Sequence, residues 1–225
     1  LDTLRRDRFH DLTRRDRLDD VLAGVAAAAA SGLRPLKLNA VAMRGVNDDE
    51  LCDLVEFAMA HDAQLRFIEQ MPLDIGHTWD RTTMVTRDEI LATLSERWEL
   101  TPVPGRGGAP AERWQIDDGP HTVGVIASVT APFCGDCDRL RLTADGQLRN
   151  CLFSRSEYDL MPVLRGGAAV AAGEAVSIGV RPLDTGIDAR IDDVLRSCIR
   201  GKLPGHAIND PAFLQPVRGM NAIGG

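Results

Sequence analysis

No stretch of the 225 residues reaches membrane-spanning length; the longest apolar run, Val25 to Ala30, is mostly alanine within an amphipathic helical pattern. Basic residues are too few for general nucleic-acid binding, because 26 Lys and Arg against 33 Asp and Glu leave a net charge of -7. Any anionic ligand must therefore be held by a local basic patch. A secretory pattern is missing too, since charges run throughout the first twenty residues. There is no internal repeat. The 5 cysteines are too few and too clustered for a disulfide framework and fit a reducing, cytoplasmic setting with metal ligation.

What is present centres on Phe133 to Cys151, which packs Cys134, Cys137 and Cys151 together with Arg139, Arg141 and Arg149 in C-x2-C-x13-C spacing. Residues 138 to 143 alternate polar and apolar, Ala144-Asp145-Gly146 is turn chemistry, and Gln147 to Asn150 can return alongside, so a β-hairpin is expected. With a three-residue connection Thr143 lies opposite Gln147, Arg141 opposite Arg149 and Arg139 opposite Cys151. A two-residue Asp145-Gly146 turn would split this set. Only the first register brings the thiols to one face.

Three clustered cysteines point to a metal. Structural zinc wants a fourth ligand, which His121 or His206 could supply through folding, whereas a cubane iron-sulfur cluster on three cysteines leaves one iron open to another ligand. Arg139 and Arg141 read either as the solvated face of a hairpin or as guanidiniums for a polyanion such as a nucleoside triphosphate. Cys52 and Cys198 fall on amphipathic helices and read as small buried hydrophobes.

Elsewhere the chain alternates. Leu18 to Ala29 is at helical spacing and stops at Ser31-Gly32, and Leu36 to Ala42 reads as a strand. Asn47-Asp-Asp-Glu50 resembles a capping box opening a helix, Leu65 to Met71 is a strand stopped by Pro72, and Thr86-Arg-Asp-Glu89 caps another helix. This order predicts parallel strands with crossover helices, and places the chemistry in the loops after Val41 and Met71. Lys37 and Asn39 share one strand face. A lysine inside a parallel strand is costly unless it lines a polar cavity or snorkels at the rim. Beyond Gly105 to Pro110 the pattern becomes hairpin-rich, with strands at Trp114 to Ile116, Val123 to Ser128 and Val176 to Val180 and helices at Glu157 to Leu164 and Ile187 to Ile199. Two domains are expected, 1–102 and 103–225.

The motifs Cys134-Gly-Asp-Cys137-Asp-Arg-Leu-Arg-Leu-Thr, Gly146-Gln-Leu-Arg-Asn-Cys151-Leu-Phe, Lys37-Leu-Asn-Ala-Val with Gly45-Val-Asn-Asp, Phe67-Ile-Glu-Gln-Met-Pro72 and the terminal Met220-Asn-Ala-Ile-Gly-Gly225 resemble those of the GTP 3′,8-cyclase family. These are radical S-adenosylmethionine (SAM) enzymes that begin molybdenum cofactor synthesis. The resemblance implies an α/β fold: a partial radical SAM (β/α) barrel followed by an α+β iron-sulfur domain. It implies a [4Fe-4S] cluster on Cys134, Cys137 and Cys151 with the purine of GTP at the open iron. It also implies GTP contacts from Lys37, Arg139 and Arg141, a SAM contact from Met71, and a tail, Gly224 and Gly225, that enters the active site. Implied partners are GTP, SAM, a second copy of the chain, and the cyclic pyranopterin monophosphate synthase that takes the product.

One departure stands out. The family's C-x3-C-x2-C, which holds the second [4Fe-4S] cluster that cleaves SAM, is nowhere in these 225 residues. The sequence opens on Leu1 without a methionine and matches about the last two thirds of the family enzyme, so it is expected to be inactive by itself. The rival readings are another radical SAM enzyme with an auxiliary cluster and a non-catalytic zinc-binding interaction module.

Overall fold

The computed structural model describes residues 1–74, 76, 78–165, 185–211 and 213–223. The chain divides into two compact units, Leu1–Pro72 with Trp79–Cys137, and Leu73–Thr78 with Asp138–Gly225.

The first unit is built on a five-stranded sheet of order β1-β2-β5-β4-β3, with β1 Leu36–Ala42, β2 Ala63–Glu69, β3 Leu100–Val103, β4 Glu112–Ile116 and β5 Thr122–Ile126. β1 and β2 run parallel, as the alternating pattern predicts, and β5 also pairs parallel to β2; β3–β4 and β4–β5 pair antiparallel, so the sheet is mixed. The expected boundary near residue 103 falls between two paired strands of this sheet. The units divide at Cys137 instead, because β5 pairs back to β2, and that pairing cannot be read from local pattern.

One sheet face carries the core. Ala40, Ala42, Leu65, Phe67, Val123 and Val125 pack with Leu51, Leu54, Val55 and Ala58 of α3 (Leu51–Ala60) and with Ile90 and Leu94 of α4 (Arg87–Ser95). The Thr86–Glu89 capping box forms as predicted. The Asn47–Glu50 box does not. Glu50 sits at the N-cap of α3 without a capping bond. It accepts instead from Thr3 Oγ1 (2.7 Å), the Leu4 N–H (2.9 Å) and Arg8 (2.7 Å). The Asn47 side chain bonds Met43 N–H, Asp2 O and Val41 O. Both residues are buried and tie the N-terminal segment to the end of β1. Ahead of β1 stand α1 (Arg6–Thr13) and α2 (Leu18–Ala30); only Leu18 of α2 is buried. The alanines form the predicted helix through propensity, with little packing against the described residues.

The second unit holds an antiparallel three-stranded sheet, β6 Arg141–Leu142, β7 Gln147–Arg149 and β8 Tyr158–Asp159, with α5 (Met161–Leu164) and α6 (Thr185–Arg200). Leu148, Leu160 and Cys198 form its small core with Leu140, Tyr158, Ile191, Val194 and Leu195. The expected Glu157–Leu164 helix is shortened because its first residues join β8. The expected strand at 176–180 lies outside the described residues. Among the described residues no helix is long and apolar enough to cross a membrane.

Candidate functional site

The cysteine motif begins in the first unit. Cys134–Asp136 forms a 3₁₀ turn closed by the Cys137 N–H donating to Cys134 O at 3.3 Å, so both half-buried thiols sit on one turn. That is the geometry a C-x2-C pair brings to a shared metal centre. The preceding Phe133 ring lies 4.4 Å from the guanidinium carbon of Arg106, which is itself ion-paired with Glu112.

The remaining residues of the motif lie in the second unit. Arg141 pairs with Arg149 and Leu142 with Leu148, which is the three-residue-connection register. The turn is closed by Thr143 N–H to Gln147 O (2.9 Å) and Gly146 N–H to Thr143 O (3.0 Å), with Gly146 at φ 82°. The ladder is shorter than the alternation suggests and does not reach Arg139 or Cys151. In its place Lys202 Nζ donates to Arg139 O (2.8 Å) and Asn150 O (2.9 Å), bridging the two arms where strand pairing ends. Sequence reading missed Lys202, because it lies 52 and 63 residues away from the carbonyls it joins. Cys151 is half-buried, and its Sγ accepts the Phe153 N–H at 3.4 Å.

The three arginines of the motif part company. Arg139 is exposed and Arg141 half-buried, but Arg149 is 2 % exposed, ion-paired with Glu157 and donating to the Ser154 carbonyl. Arg149 does lie opposite Arg141, as the three-residue connection requires, but its side chain is buried among its partners. Glu157 and Asp145 also pair with Arg218 (2.8 Å each), which pins the segment leading to the C-terminus onto the hairpin. The Arg218 guanidinium, followed by the Thr143 hydroxyl, draws the Asp145 carboxyl down to about 2. Ile223 is fully buried; Gly224 and Gly225 lie outside the described residues.

Among the described residues no group of three or more His, Cys, Asp or Glu stands together as a metal site. Cys134 and Cys137 close the first unit, and Cys151 belongs to the second. In donor chemistry, a two-thiol turn and a third thiol receiving an N–H fit thiolate ligation. Cys198 is buried and Cys52 half-buried, and burial raises both thiols, as suits structural residues.

Lys37 is exposed, which corrects the idea of a buried charge: β1 is covered on one face only. It lines an open cleft of about 860 Å³ in the first unit with Arg66, Arg113 and His121. Arg66 and Arg113 flank Gly124 in one register row, and neither is ion-paired among the described residues. Burial, with Arg113 second, lowers the Arg66 pKa. The strand alternation hid these two arginines, because each by itself reads as an ordinary solvated position. Met71 is half-buried, two residues beyond β2.

The family model described as Molybdenum Cofactor Synthesis C matches residues 63–181, more than half of the chain. The chain belongs to this family. The matched part of this Molybdenum Cofactor Synthesis C member runs from β2 through the cysteine hairpin. Over its whole length the chain is 53% identical to the GTP 3′,8-cyclase of Streptomyces coelicolor. It is 50% identical to that of Mycolicibacterium smegmatis and 48% identical to that of Corynebacterium glutamicum (strain R). It spans 61%, 59% and 56% of those proteins respectively.

Proposed function

We propose that this chain is the substrate-holding part of a GTP 3′,8-cyclase, which converts GTP to 3′,8-cyclo-7,8-dihydro-GTP. In this reading the first unit is the last part of a radical SAM (β/α) barrel, and the hairpin belongs to an α+β iron-sulfur domain. The observation that carries it is the two-thiol turn leading directly into a hairpin with Arg139 and Arg141 on its outgoing arm, in a chain about half identical to named cyclases.

Cys134, Cys137 and Cys151 would hold a [4Fe-4S] cluster, which when bound supplies an iron coordination position for the guanine base. Arg139 and Arg141 offset triphosphate charge that a chain of net charge -7 would otherwise repel. Lys37, on the uncovered face of β1, adds a further cation. Met71 takes part in SAM binding. The radical that removes hydrogen from ribose C3′ needs the second cluster, whose C-x3-C-x2-C is not in this sequence. What these residues contribute is to hold ribose and base so that the C3′ radical meets guanine C8. Gly224 and Gly225 would complete the site without side chains. Assembly as a homodimer and transfer of product to cyclic pyranopterin monophosphate synthase belong to the same reading.

Calorimetry of GTP binding to the chain, reconstituted anaerobically with iron and sulfide, tests it. Replacing Arg139 and Arg141 together by alanine is expected to weaken binding by roughly tenfold or more, the scale of one or two lost charge-assisted hydrogen bonds. GTP affinity that survives the double replacement would favour a different radical SAM chemistry with an auxiliary cluster.

A further inference from the structure

Glu69 is the last residue of β2, and the strand alternation turns it to the face that Ala63, Leu65 and Phe67 give to the core. It is fully buried, and no cation pairs with it among the described residues. A carboxylate in such a place is costly unless its lone pairs are taken by well-aimed donors. They are taken here. Oε1 accepts the Arg87 N–H at the head of α4 (2.9 Å) and the Thr130 hydroxyl; Oε2 accepts the N–H groups of Val129 (2.8 Å) and Thr130 (2.9 Å).

Three of these four bonds come from residues 129–130, in the loop that leaves β5, and the chain then reaches Cys134 four residues later. On the other side, Gln70 and Met71 follow Glu69 directly, and Trp79 Nε1 fixes Gln70 O at 2.8 Å. One carboxylate thus joins the end of β2, the start of α4 and the approach to the two-thiol turn.

We infer that Glu69 is a positioning residue for Cys134 and Cys137: its carboxylate fixes the loop that presents both thiols. The functional meaning rests on the proposal that these cysteines ligate a cluster, while the clamp itself does not. Glutamine keeps the shape but replaces one accepting oxygen with a donating nitrogen, which opposes at least one N–H or hydroxyl. Buried Glu50 provides a matched control. It lies in the same unit and its oxygens are also taken by donors, but its partners are Thr3, Leu4, Arg5 and Arg8.

The test measures alkylation rates at individual cysteines of the reduced, cluster-free, full-length chain by mass spectrometry, with Cys151 as the internal reference. In Glu69→Gln the ratio of Cys134 and Cys137 rates to the Cys151 rate is expected to rise about tenfold through local opening of the loop. Thr130→Val, which removes only the hydroxyl donor, should move the same ratio in the same direction by about two- to threefold. Glu50→Gln should lower the melting temperature and leave the ratio unchanged. If Glu69→Gln does not fold, Thr130→Val decides. The inference is overturned if the ratio is unchanged in the clamp variants, or if Glu50→Gln raises it equally. Because neither cluster nor nucleotide is present, this outcome is separate from that of the GTP-binding experiment.

Discussion

At the head of α4 the Glu89 carboxylate accepts the backbone N–H of Thr86 (2.8 Å) and the Arg44 guanidinium (2.6 Å), along with the Thr86 hydroxyl. These bonds, the backbone one first and Arg44 second, hold its pKa down to about 2. A depressed carboxylate contributes stability that is present above its unfolded pKa, about 4.3, and lost as pH falls through the folded value. Glu89 is half-exposed and solvent screens the ion pair, so the effect should be that of a helix cap. Glu89→Gln is expected to lower stability at neutral pH by about 1 kcal/mol. In urea titrations the difference from the parent should shrink between pH about 4.3 and about 2; an offset that does not vary with pH would contradict it. This box was legible because all its backbone partners lie within four consecutive residues. Asn47 and Glu50 make the same local pattern, yet their side chains bond to residues 2, 3 and 4, some 45 positions upstream, which no local reading could supply.

The hairpin shows the same limit at the scale of an element. Its turn and register followed from Ala144-Asp145-Gly146 and the requirement that the cysteines converge, and Arg141 does face Arg149. Its length did not follow. Alternation from 138 to 143 suggested a long ladder, but only two residues of β6 are paired, since Lys202 takes the carbonyls of Arg139 and Asn150. Lys202→Met keeps much of the stem and removes both charge-assisted bonds, about 1 to 3 kcal/mol of local stability. Hydrogen exchange should then quicken at residues 139–141 and 149–151 and stay unchanged in β1 and β2. Equal loss of protection in both units would mean that Lys202 supports the fold generally and not the hairpin ends.

Over the whole molecule, sequence reading found the alternating α/β character and the cysteine motif but placed the domain break near residue 103. Strands β3 to β5 pair antiparallel with one another and locally resemble the start of a new domain. Their membership of the first sheet depends on β5 meeting β2, some 58 residues apart, along Arg66, Phe67 and Ile68. The same sheet, covered on one face by α3 and α4, leaves Lys37, Arg66 and Arg113 on the other, and that cationic face became visible only once the strands were in register. We propose that this chain holds an iron-sulfur cluster on Cys134, Cys137 and Cys151. Metal and absorbance analysis after anaerobic treatment with iron and sulfide tests it most directly. A brown protein with about four irons per chain is expected, with loss of that iron when the three cysteines are replaced by alanine. A colourless protein without cluster absorbance, or one carrying about one zinc and no iron, would contradict it.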